Sequence, residues 1–65
     1  MKKWFDKIFE DGGIGDEHRR RVLGKIAWFQ TKNNLTSEEI RIISSGGNND
    51  RYQIRIEYYS EKELV

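Results

Sequence analysis

Four residues carry the first chemical suggestion: Arg21, Lys25, Trp28 and Lys32, spaced i, i+4, i+7, i+11 in "RVLGKIAWFQTK". On a helix they form one stripe, because residues at these intervals share a face. Cations flanking an indole suit two kinds of ligand. A nucleic acid would set its phosphates on the cations and stack a base on the ring. A protein partner would receive the tryptophan in a pocket, since tryptophan and arginine dominate interface hot spots. The structural alternative places Trp28 under a neighbouring helix with the Arg21 and Lys25 stems lying over it.

Other candidates are weaker. His18 is the single histidine and follows two acids in "DEHRRR". A general base needs a nucleophile to activate, and neither serine nor cysteine lies near it in sequence. Asp11, Asp16 and Glu17 suit helix capping better than cation binding, as they lack EF-hand spacing. "GGIG" at 12–15 and "GGNND" at 46–50 resemble neither a dinucleotide fingerprint nor a P-loop. Their glycines are expected to serve turns. No set of nucleophile, base and orienting group assembles, so the chain is expected not to be an enzyme. With no cysteine and one histidine it is also expected to hold no metal or other cofactor.

These residues need a scaffold, and 65 residues allow a single domain, 1–65. A domain this small is marginally stable and often compensates by oligomerising when disulfides and metals are absent. Net charge is +1 but uneven: residues 1–34 carry a net of +3 and residues 35–65 a net of −2. That is less basic than a dedicated nucleic-acid binder. There is no apolar run long enough to span a membrane, and "MKKWFDKIFEDGG" lacks the apolar core of a signal peptide. A cytoplasmic location is the expectation, with no membrane partner.

Three segments are separated by "DGGIGD" and "TKNN". In Lys2–Asp11, Trp4, Phe5, Ile8 and Phe9 recur as one helical stripe, and Gly12–Gly13 follow where a helix C-cap belongs. Docking of this stripe on the core is favoured over lying on a lipid surface. Residues 17–32 predict a second helix with Asp16 as N-cap. Gly24 weakens that helix and keeps a strand through 22–31 as an alternative. In "RYQIRIEYY", residues 51–59, Tyr52, Ile54, Ile56 and Tyr58 alternate with polar residues, the mark of a strand with one buried face. Its partner is expected at 39–45. Thr36 and Glu39 offer a rival helix start there, with Leu35 and Ile40 as a staple.

The expected fold is therefore α+β: two short amphipathic N-terminal helices on a C-terminal antiparallel hairpin, or else a three-stranded meander using residues 22–31. Register can be set in advance. Placing Ile40 and Ile42 on the face of Ile54 and Ile56 asks for an odd loop of three or five residues. Avoiding like-charge opposition then selects either Glu39–Arg55 or Arg41–Glu57. Arg41, Ile43, Gln53, Arg55 and Tyr59 would point away from the helices, leaving a strand edge on which a second copy can pair.

The function expected from this reading is a small, non-enzymatic regulatory or inhibitory protein–protein interaction module. Trp28 or Tyr59 would anchor it, flanked by Arg21, Lys25 or Arg55. The alternative is a nucleic-acid-binding module using the Arg21/Lys25/Trp28/Lys32 face with Arg19 and Arg20.

Overall fold

The computed structural model describes residues 1–13, 15–48 and 50–64. They form strand β1 (Lys3–Asp11), helix α1 (Asp16–Lys32), strand β2 (Ile40–Asn48) and strand β3 (Arg51–Ser60). The class is α+β, with one helix on a three-stranded antiparallel sheet of order β1-β3-β2. None of the described helices is long and apolar enough to cross a membrane.

The first segment is a strand, which corrects the expected N-terminal helix. Its i, i+1, i+4, i+5 apolar pattern also places Phe5 and Phe9 on one side of a strand and Trp4 and Ile8 on the other. Aromatic and β-branched side chains favour pleated surfaces, and tertiary pairing decides such ambiguous segments. Here β3 supplies the pairing, with Phe5 opposite Tyr58 and Phe9 opposite Ile54. A ten-residue helix would have been marginal by itself.

Residues 22–31 lie inside α1, so the meander alternative also fails. Val22, Ile26 and Phe29 turn inward at helical spacing and settle the period. The N-cap is Gly15 rather than Asp16, which opens the first turn with Glu17. Both carboxylates suit the positive end of the helix dipole. At the other end the Asn33 side chain donates to the Phe29 carbonyl at 2.9 Å. Asn34 takes a left-handed φ of 55°, which reverses the chain.

The hairpin forms as expected, and Arg41 stands opposite Glu57. The parity device differs. Pairing continues to Asn48↔Arg51, so the connection is two residues long, at 49–50. A β-bulge between Ile42 and Ser44 inserts Ile43 and restores the face alternation that an odd loop was expected to supply. Gly46 and Gly47 lie within β2, and none of the described glycines has a positive φ. Their expected role as turn residues is therefore withdrawn; of the turn itself, Asn49 lies outside the described residues. The Thr36–Glu39 signature makes one of its bonds, from the Thr36 amide to Glu39 Oε1 at 3.0 Å, while the Glu39 amide donates to the Thr36 backbone carbonyl at 2.9 Å. It closes a turn leading into β2 rather than starting a helix.

The core is a single layer between α1 and the sheet: Phe9, Val22, Ile26, Phe29, Ile54, Ile56 and Tyr58. Phe29 meets Phe9 edge-on at 5.4 Å and Tyr58 at 5.1 Å. These are favourable aromatic geometries. Lys7 points to the same side, with its ammonium over the rings of Phe9 and Phe29. The C-terminal tail is held by the Leu64 amide, which donates to the Tyr58 hydroxyl at 2.9 Å. Helix α1 lies across β1 and β3 and leaves β2 beside it.

Candidate functional site

The predicted binding residues divide between two opposite surfaces. Arg21, Lys25, Trp28 and Lys32 share the outward side of α1. Trp28 is 67% exposed, so the reading that buried it under a neighbouring helix is wrong. That neighbour is β1, and it lies within the sheet.

The cations beside Trp28 are largely committed within the chain. Arg21 bonds Glu17 at 2.7 Å and lies 3.6 Å from Asp11. Lys25 donates to the Glu10 carbonyl at 2.7 Å and lies 3.8 Å from Asp11. Asp11 also bonds His18 Nδ1 at 2.7 Å, and the ring of His18 lies against Gly13. The His18 hydrogen bond, followed by the charges of Lys25, His18 and Arg21, holds the Asp11 carboxyl below its ordinary range. This cluster fastens the end of β1 to the start of α1. It gathers no group of metal ligands among the described residues. His18 is oriented by the Asp11 carboxylate through its Nδ1.

The second surface is the far face of the sheet, which no element among the described residues covers. Side-chain alternation places Arg41, Gln53, Arg55 and Tyr59 there, as expected. It also places Trp4, Asp6, Ile8, Glu10 and Glu57 there, since β1 joins the sheet. Trp4 and Tyr59 are directly opposed, with ring centroids 5.2 Å apart. The Arg41 guanidinium lies 4.1 Å from the Trp4 ring centroid and bonds Glu57 at 2.8 Å. Stacked and ion-paired together, this arginine is held in one orientation.

A carboxylate ladder surrounds the cluster. Asp6 and Glu57 are opposed like charges, an unfavourable pair by itself. Arg55 resolves it by bonding Asp6 at 2.6 Å while Arg41 takes Glu57. The Asp6 hydrogen bond raises the Arg55 pKa further above its ordinary value. Glu10 accepts from Gln53 at 2.8 Å and pairs with Arg51. The Gln53 hydrogen bond, supported by the charge of Arg51, lowers the Glu10 pKa. Ile8 stands among these ions 58% exposed.

Trp4 and Ile8 are the residues that sequence reasoning missed as surface groups. Their signal was present: Trp4/Asp6/Ile8/Glu10 alternates with Phe5/Lys7/Phe9/Asp11 at period two. The helical stripe used the same residues and obscured it. Comparison with protein-family models, curated proteins and solved structures finds no match to this chain.

Proposed function

We propose that this chain is a small non-enzymatic protein-binding module, regulatory or inhibitory in effect, that engages its partner with the uncovered face of its sheet. The observation that carries this is the Trp4–Tyr59–Arg41 cluster: two aromatics and an arginine, the residue types that anchor interfaces, held in contact on an open face. Anchors already ordered before binding lose little side-chain entropy on association. Around them the paired charges of Asp6, Arg55, Glu57 and Glu10 form a polar rim.

A second reading keeps the nucleic-acid alternative on the helix face, because Trp28 is 67% exposed beside cations. Against it stand Glu17 and Asp11, which neutralise Arg21 and Lys25 and would have to be displaced by phosphates.

Site-specific photo-crosslinking in native lysate separates the two. A photoreactive residue at Ile8 should give a protein adduct that Trp4→Ala weakens about 30-fold, the equivalent of a 2 kcal/mol anchor. One at Ala27 on the helix should give none. Adducts only from Ala27 would overturn the sheet-face reading. Nucleic-acid binding that falls steeply with salt, and is lost in Trp28→Ala and Lys25→Glu, would establish the second reading instead.

A further inference from the structure

We infer that β2 is a docking edge for a second copy of this chain, joined antiparallel across a two-fold axis to make a continuous six-stranded sheet. Among the described residues the sheet has two free edges, β1 and β2, because β3 is central. They differ sharply in charge. Strand β1 carries Lys3, Asp6, Lys7, Glu10 and Asp11, the charged guards that protect natural edges. Strand β2 has no charged residue and no proline from Ile42 to Asn48.

The helix leaves this side open as well. Between α1 and β2 runs a groove of about 350 Å³ lined by Ile26, Gln30, Ser37, Ile40, Arg41 and Ile42. Ile42 points toward the helix layer yet is 54% exposed, and Ile43 in the bulge is 46% exposed. An occupant must pair a strand edge and cover apolar side chains together.

A second β2 has the right shape for both tasks. The strand reads large-to-small, with Ile42 and Ile43 at one end and Gly46 and Gly47 at the other. Antiparallel pairing sets the isoleucine end of one copy along the glycine end of the other. A two-fold axis at Ser45 keeps like faces together: Ser45 opposes Ser45, Ser44 opposes Gly46, and across the bulge Ile42 opposes Gly47. Arg41, bonded to Glu57, meets no charge of its own sign in this register. A stable dimer of ordinary size buries about 800 Å² per copy. That is about one sixth of the 4771 Å² surface.

The partner surface proposed above shares Arg41 with β2 but uses the face of the sheet, whereas dimerisation uses the backbone edge of that strand. The test is sedimentation equilibrium from about 1 to about 200 µM, a range spanning weak to moderate homodimers. The wild-type mass should rise from 7.8 kDa toward twice that value. Ser45→Lys, which opposes two ammonium groups at the axis, should weaken association at least tenfold. Gly46→Lys serves as a second variant, since a side chain there meets open space within its own chain. Lys3→Glu, on the opposite edge strand, should leave the dimer intact. Amide exchange should slow in β2, and not in β1, as concentration rises. A wild-type mass of 7.8 kDa at the highest concentration, folded Ser45→Lys and Gly46→Lys variants that still dimerise, or protection confined to β1 would each overturn the inference.

Discussion

Gly24 gives the sharpest test of the helix. It occupies the middle of α1, is exposed, and has open space where a Cβ would be. Alanine there therefore adds helix propensity with no clash. Glycine in a helix interior is about 0.8–1.0 kcal/mol less favourable than alanine. With an unfolding entropy near 2.1 cal/mol/K per residue, a chain of this length has about 140 cal/mol/K at its midpoint. Gly24→Ala should thus raise Tm by roughly 6–7 °C, measured by far-UV circular dichroism at low protein concentration. Gly24→Val discriminates further. Valine lies about 0.6 kcal/mol below alanine in helices but is favoured in strands. The expected order of Tm is alanine, then valine, then glycine. Valine above alanine would return residues 22–31 to the strand alternative. A Tm unchanged or lowered by alanine would refute the open helical environment of Gly24.

Two other predictions concern the core and pH. Phe29→Ala removes the ring that contacts both Phe9 and Tyr58 and should cost about 3–5 kcal/mol. A 65-residue domain has about 3–10 kcal/mol in total, so near-UV circular dichroism should be largely lost at 25 °C; a retained, cooperative melt above 50 °C would contradict the core assignment. Glu39 is held at a pKa of about 2, against an ordinary 4.5, by its hydrogen bond from Lys2 and then by the Thr36 amide. A depressed carboxyl stabilises the fold above its unfolded pKa and loses that contribution as pH falls through 4.5 toward 2. Glu39→Gln keeps an acceptor for Thr36 but loses the ion pair with Lys2. Its Tm deficit should therefore be largest at neutral pH and vanish near pH 2, while a deficit constant with pH would remove Glu39 from the acid response.

Several features were legible because one local signal stood without a rival. Residues 51–59 alternate strictly, so β3 and its buried Ile54, Ile56 and Tyr58 could be read directly. Charge opposition narrowed the register to Glu39–Arg55 or Arg41–Glu57, and the second is the one that forms. Reading Arg41, Arg55 and Tyr59 outward needed only the parity of that strand pair. "TKNN" marked the helix end through residues that hydrogen-bond locally and accept left-handed backbone.

The rest depended on contacts distant in sequence. Trp4, Phe5, Ile8 and Phe9 satisfy both a helix and a strand, and only the free edge of β3, some fifty residues away, decides between them. That decision moved Trp4 from a supposed core stripe to the exposed cluster with Tyr59 and Arg41. The bulge at Ile43 likewise has no local signature. It arises because a two-residue connection and a shared buried face require one extra residue in β2. The committed state of Lys25 and Arg21 follows from where the end of β1 comes to lie. Composition and periodicity thus determined the α+β class, the strand at 51–59 and its pairing with 39–45. Tertiary pairing decided which face each ambiguous residue took, because an apolar side chain is buried by whichever neighbour the whole chain brings to it.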